Sequence, residues 1–206
     1  MNSLQYYDKY SKELIEKYNS IETLEIYSLF QKYIHQDDAV LDIGFGSGRD
    51  LNYIRENISK NVFGIDGSKE FIKNIQRNNF YKNRTNYSIL PNINTKNFDV
   101  KNYDVVISIA VFMHINSKEL NKTIKSIYDI LNNKGFVIIS YSTQSRNNDE
   151  RTFYEISKDN MIKLFKDNGF QEIETIINQD NLNRNIEWIT QVFKKQMPTK
   201  QSSRHV

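Results

Sequence analysis

The chain has 206 residues, with 28 lysines and arginines against 25 aspartates and glutamates and a formal net charge of +3. That length suits one domain with a full core, and the interspersed charges, with no basic block, argue against tight duplex binding. The absence of cysteine excludes disulfides and thiolate metal sites, and the three scattered histidines (His35, His114, His205) suggest no metal centre. With no long apolar span and a polar start, the expected protein is soluble, cytoplasmic and free of membrane.

Residues 4–35 read as one or two amphipathic helices, with Leu14, Ile15 and Tyr18 on one face and Leu24, Tyr27, Phe30 and Ile34 on another. They give an N-terminal helical cap over 1–38, followed by a core at 39–194 and a flexible tail at 195–206. From residue 39 onward strands and helices alternate. The pattern predicts strands at 39–43, 61–66, 85–90, 103–109 and 135–141, and helices at 48–58, 68–79, 117–132 and 158–168. Ser68, Ser117 and Ser157 read as N-caps, and Asn168-Gly169 as a helix end. Stretches 171–177 and 186–193 have no helix-length segment between them, so they pair as an antiparallel hairpin at the sheet edge. Regular alternation with short links predicts an α/β protein with a doubly wound parallel sheet covered on both faces.

The apolar run Ala39–Ile43 stops at glycines on alternate positions, Gly44, Gly46 and Gly48, after which Leu51, Ile54 and Ile58 recur at helical spacing. This is a strand, a tight turn and a helix start, an arrangement that lets backbone approach a nucleotide-like ligand. A second strand, Val62 to Ile65, ends in Asp66, placed to accept hydrogen bonds from both hydroxyls of a ribose.

Here the chain resembles the class I S-adenosylmethionine-dependent methyltransferases. Their first motif is matched by Asp42-Ile43-Gly44-Phe45-Gly46-Ser47-Gly48 and their ribose acid by Ile65-Asp66-Gly67-Ser68. Residues 103–108, leading into Ala110-Val111-Phe112-Met113-His114, look like their fourth strand; Leu131–Val137 looks like the turn before their fifth. The resemblance covers residues 35 to 194 and implies a Rossmann-like, mostly parallel seven-stranded sheet with an antiparallel edge strand. A nicotinamide dinucleotide site is the alternative. Its third glycine falls one position later, and Asp42 suits a sulfonium amino acid better than a phosphate.

The resemblance implies that Gly44, Gly46 and Gly48 approach the methionine part of the donor, with Asp42 orienting groups that hold its ammonium. Asp66 and Gly67 then hold the ribose. Phe45 lines the pocket or packs in the core. The family's acid at the end of the third strand is missing, leaving Ser88 or Asn92 for the adenine, and Ala110 opens the segment beyond the fourth strand. His114 is the candidate general base, with a structural role as the alternative. Aromatic N-terminal helices often close over the cofactor in this family, which brings Tyr6, Tyr7 and Tyr10 forward, with Tyr6 and Tyr10 expected on the substrate; otherwise they cover the sheet. Arg49 opens a helix where a cation is unfavourable, so it answers a substrate anion or a carboxylate, or is a solvated charge. Residues 142–156 form a substrate lid or a solvated loop. If Arg151 faces the pocket, it suits an acidic or phosphorylated substrate.

The resulting expectation is methyl transfer from S-adenosylmethionine to an oxygen or nitrogen of a small molecule, releasing S-adenosylhomocysteine. Without cysteine or an Asp/Asn-Pro-Pro-aromatic turn, methylation of DNA bases is disfavoured. An RNA or protein methyltransferase and a non-catalytic S-adenosylmethionine-binding subunit stand as alternatives. The acceptor and the oligomeric state do not follow from the sequence.

Overall fold

A computed structural model describes residues 2–21, 23–144, 146, 149–179 and 186–197. Three helices come first: α1 (Ser3–Lys9), α2 (Ser11–Asn19) and α3 (Leu24–Tyr33). The one or two helices expected over 4–35 are three because the backbone leaves helical geometry at Tyr10 (φ −107°, ψ 20°) and again before Leu24. Asn2 starts α1 with a capping box, its side chain accepting from Gln5 N while Gln5 Oε1 accepts from Asn2 N.

The core then alternates as β1 (Val40–Ile43), α4 (Arg49–Asn57), β2 (Val62–Asp66), α5 (Lys69–Ile75), β3 (Thr85–Tyr87), β4 (Tyr103–Ile109), α6 (Ser117–Ile130), β5 (Leu131–Ser142) and α7 (Lys158–Asp167). It closes with β6 (Phe170–Gln179) and β7 (Glu187–Lys195). The expected seven-stranded sheet is present, in the order β3-β2-β1-β4-β5-β7-β6. β1 through β5 pair in parallel, and β7 runs antiparallel between β5 and β6. Strand order reverses between β1 and β4, which both follow from that centre outward. That reversal opens a crevice at the carboxyl ends of the strands.

Both faces are apolar, as strands sandwiched between helices require. One cluster gathers Ile43, Phe63, Ile65, Val106, Ile124 and Phe165; the other gathers Phe30, Val40, Leu51, Phe71, Val105 and Ile138. Ser68 and Ser157 are N-caps, accepting from Phe71 N and Asn160 N. Ser117 is not: Asn116 caps α6 by accepting from Lys118 N, and Ser117 is the first helical residue. The third strand stops at Tyr87 rather than residue 90, short of the cis Leu90–Pro91 bond. The α6–β5 junction is also tighter than expected. Leu131 is already extended, and buried Lys195 donates from Nζ to the Tyr128 and Leu131 carbonyls (2.7 Å each), capping the helix end from β7. β7 takes in Lys195, the first residue of the expected tail at 195–206, and residues 198–206 of that tail lie outside the described residues.

Candidate functional site: a cavity under the N-terminal helices

A cavity of about 830 Å³ lies at the carboxyl ends of the strands, roofed by α1, α2 and the start of α3. Its floor is the turn from Asp42 to Ser47. Gly44, Gly46 and Gly48 all have positive φ (76°, 54° and 80°), conformations that side chains resist. A Cβ on Gly44 would also fall 2.4 Å from Val111 Cγ2, a clash with a stiff side chain, whereas one on Gly48 would meet the tip of Ile75 (2.6 Å from Cδ1), which can turn aside, so there the positive φ is the requirement. Gly46 differs. A Cβ there would meet nothing nearer than the Tyr18 ring at 3.8 Å, so the turn is open toward the cavity at this point. Gly48 is the N-cap residue of α4 and does not line the cavity. Phe45 does line it and is also buried in the core, packing toward Gly64.

Asp66, at the end of β2, is buried and accepts from Gly46 N (2.9 Å, Oδ2) and Ser68 N (2.7 Å, Oδ1). Each carboxylate oxygen keeps a further lone pair, so the pair of oxygens can meet a vicinal diol. Burial raises its carboxyl to about 6, against the opposing hydrogen bonds from Ser68 and Gly46. Asp42, buried in β1, is raised well above the usual carboxylate range, first by desolvation and then by Asp50 and Asp66. Arg49 lines the cavity with its guanidinium committed: Nε and Nη2 donate to Asp50 (2.9 and 3.0 Å) and Nη1 to the Tyr18 carbonyl (3.2 Å). Of the roles considered for Arg49, the structure provides the carboxylate, and the separate bond from Nη1 to the Tyr18 carbonyl ties α2 to α4.

The roof is assembled from distant segments. Tyr7 of α1 donates its hydroxyl proton toward His114 Nε2 (2.9 Å), and His114 Nδ1 lies 2.6 Å from the Thr152 carbonyl. A carbonyl only accepts, so Nδ1 carries the hydrogen and Nε2 offers its lone pair to Tyr7. Burial pushes His114 down to about 4, with Arg151 and Arg146 lowering it further, so the ring is neutral near pH 7. Ser3 accepts from Thr152 N (2.9 Å), and Asp8 accepts from Ser68 Oγ (2.6 Å) and Glu70 N (3.3 Å), which pins α1 across α5. Arg151 faces the cavity, stacked over Tyr6, Tyr7 and Phe153 and paired with Asp149 (Nη2–Oδ2 2.6 Å).

Tyr6 lines the cavity, whereas Tyr10 does not; it stacks on Tyr6 and under Lys9. Tyr7, brought forward with Tyr6 and Tyr10 but not expected on the substrate, and Tyr18, expected only on an apolar helix face, both line the cavity. Helical phase within α1 turns Tyr7 inward, and nothing local marks Asp8, whose partners lie some sixty residues away. At the β3 end, Gly67 and Ser88 line the cavity, but the Ser88 hydroxyl donates to the Asn92 carbonyl (2.6 Å) and accepts from Asn94 N (3.0 Å). Asn92 lines a separate cavity of about 530 Å³. Ala110 lines the main cavity in a left-handed conformation (φ 63°), where a non-glycine residue is strained. Among the described residues no cluster of three potential metal-ligating side chains occurs, and no helix is long and apolar enough to cross a membrane.

The glycine turn, open above Gly46 and flanked by two buried carboxylates, fits a cationic nucleoside such as a sulfonium donor. Comparison with known proteins agrees. Residues 40–135 match the family model described as a methyltransferase domain. The chain is 26% identical over 150 residues to the phosphoethanolamine N-methyltransferase of Plasmodium falciparum (isolate 3D7), covering 72% of this chain and 56% of the relative. It is 32% identical over 145 residues to an uncharacterised protein of Methanocaldococcus jannaschii, covering 68% and 51%. The chain thus spans about half the length of the curated relatives it matches. A chain from the complex of the Haloferax volcanii Trm112 methyltransferase activator shares the fold, with a TM-score of 0.77, 16% identity, and coverage of 94% of this chain and 97% of that one. From the glycine turn, the strand-end acid, the strand order and these matches, residues 40–135 form a methyltransferase domain.

Proposed function

We propose that this protein transfers the methyl group of S-adenosylmethionine to a nitrogen or oxygen of a small molecule bound beneath α1 and α2. The observation that carries the reading is the roofed cavity itself. Its volume of about 830 Å³ is near the upper end of small-molecule sites, roughly 300–1,000 Å³, enough for a donor and a small acceptor together. The Ser3–Thr152 and Tyr7–His114 bonds hold α1 across the cavity, which supports an acceptor small enough to lie beneath that helix.

The donor supplies an electrophilic methyl group on sulfur when bound. Gly44 and Gly46 approach its methionine part, Asp66 and Gly67 hold the ribose, and Asp42, whose burial favours the neutral carboxyl, is drawn toward its ionised form when a cationic group binds beside it. At the other end Tyr7 presents its hydroxyl oxygen, oriented by His114. Displacement at a methyl group demands alignment and a nucleophile lone pair more than a strong base. The Tyr7 oxygen accepts a hydrogen bond from the acceptor N–H or O–H, and neutral His114 fixes the phenol in place. This makes His114 a positioning residue that acts through Tyr7.

The name of the Plasmodium relative favours a nitrogen acceptor. An anionic group on the acceptor at this end must share Arg151 with Asp149, which already takes its Nε and Nη2. The test is calorimetric titration with S-adenosylhomocysteine, wild type against Asp66→Ala, followed by turnover on a panel of small amines and alcohols that includes phosphoethanolamine. Binding abolished by the substitution, with turnover on a small amine, is expected. Turnover confined to RNA or protein acceptors would overturn the reading.

A further inference from the structure

The sheet face under α2 and α3 is apolar almost to the carboxyl ends of β4 and β5, and there two hydroxyls interrupt it. Pairing across the strands sets Ile109 beside Ser140, Ser140 beside Thr190, and Thr190 beside Ile176, so the four share one face. The preceding row on that face is Ile107, Ile138 and Val192, all buried in one apolar cluster. Ser140 and Thr190 are only 2% and 5% exposed, and both line the main cavity. Thr190 Oγ1 donates to Ser140 Oγ (3.1 Å).

Two hydroxyls carry two protons, and the bond between them uses one. Whichever oxygen donates, one O–H is left, and among the described residues no acceptor takes it. An unpaired hydroxyl in an apolar wall is unfavourable, and a ligand oxygen in the cavity relieves it. The neighbouring donors are engaged: Arg146 Nη2 with Ser142 Oγ (3.1 Å), Arg151 Nε and Nη2 with Asp149 (2.8 and 2.6 Å), and Asn178 Nδ2 with Glu25.

Strand order places the pair on the acceptor's side. Asp66 ends β2, the glycine turn follows β1, and β4 separates β1 from β5. At about 4.8 Å per strand, Ser140 stands about 10 Å from the β1 end and about 14 Å from the β2 end. A donor with its ribose at Asp66 and its methionine part at the glycine turn covers β2 and β1 and leaves β5 and β7 open. The end of β4 joins the two halves: Val111 packs against Gly44, and Ala110 N donates to the Ser140 carbonyl (2.8 Å).

We propose that the Ser140–Thr190 pair selects the methyl acceptor, its remaining O–H donating to an oxygen that the acceptor carries beside the methylated atom. The inference rests on the donor and the small-molecule acceptor proposed above. The substrate class is then an amine or alcohol with a second oxygen function, such as an amino alcohol or its phosphate ester, and a simple alkylamine is a poor substrate.

The experiment is an NMR titration of the full chain, saturated with S-adenosylhomocysteine, with ethanolamine and with propylamine, in which a methyl group replaces the hydroxyl. Wild type should bind ethanolamine about tenfold more tightly or better, because a site built to bond an oxygen rejects the analogue lacking it. In Ser140→Ala/Thr190→Val both hydroxyls are gone together, which leaves no orphaned partner, and the preference should shrink to about twofold. S-adenosylhomocysteine affinity in that variant should stay within about threefold of wild type, since neither side chain touches the donor's half. A wild type that binds both amines equally, or a double variant that keeps the preference, overturns the proposal. Wild type that binds S-adenosylhomocysteine but neither amine overturns the small-molecule reading beneath it, and failure to bind S-adenosylhomocysteine overturns the donor assignment.

Discussion

Tyr7 and His114 are 107 positions apart in the chain and 2.9 Å apart in space, joined through the phenol hydroxyl and Nε2. This contact links α1 to the segment beyond β4 and makes the N-terminal helix part of the cavity wall. In Tyr7→Phe the imidazole loses its partner and the acceptor loses an oxygen, while the glycine turn and Asp66 remain. The expected result is turnover lowered by about tenfold or more, with S-adenosylhomocysteine affinity changed less than about threefold. His114→Ala should show the same split through loss of the orienting bond. Unchanged turnover in Tyr7→Phe would remove the phenol from the mechanism.

Asp66 predicts a pH dependence in which folding and ligand binding oppose each other. Its carboxyl is raised by burial to about 6, above an unfolded value of about 3.9. The fold therefore favours the protonated form. The stability from this group is complete below about pH 3.9 and disappears as pH rises through about 6, a change on the order of 2–3 kcal/mol. Accepting two ribose hydroxyls requires the ionised form. Affinity for S-adenosylhomocysteine should accordingly fall by about tenfold between pH 7 and pH 5. Titrations across that interval check it, and a flat profile counts against a ribose contact at Asp66.

Lys195 offers a test of how the sheet is anchored to α6. Its ammonium donates to two carbonyls at a helix end and lies 4.0 Å from the centre of the Tyr128 ring. Lys195→Met keeps the apolar stem but leaves both carbonyls without that donor. Stability should drop by about 2 kcal/mol, read from the shift in urea midpoint at constant slope. A midpoint equal to wild type would mean that water replaces the ammonium without loss.

Gly44→Ala combines two separable penalties, a positive φ of 76° and a Cβ 2.4 Å from Val111 Cγ2. The substitution should cost about 2 kcal/mol or more and weaken ligand binding. Adding Val111→Ala removes the clash but not the backbone strain, so the double variant should recover part of the loss. Full recovery would show that φ at this position relaxes freely.

Local patterning was enough for the strand–turn–helix at residues 39–58, the acid ending β2, the alternating elements and the C-terminal hairpin. Each depends on features written within a few positions: apolar period, alternate glycines, capping side chains. The sequence also carried the departure at the third strand, since the lack of an acid near Ser88 needs no coordinates. What only the tertiary structure decided is which side chains meet in the cavity. Arg49 found its carboxylate in the adjacent Asp50, whose rotamer no spacing rule reveals. Tyr7 rather than Tyr10 entered the site because α1 is oriented by Asp8 on Ser68 and by Ser3 on Thr152. Those bonds span 60 and 149 positions, and Ser140 meets Thr190, 50 positions on, only after β7 has paired with β5. Hydrophobic period encodes which face of an element is buried, but the partner across a cavity is set by how several such faces pack together.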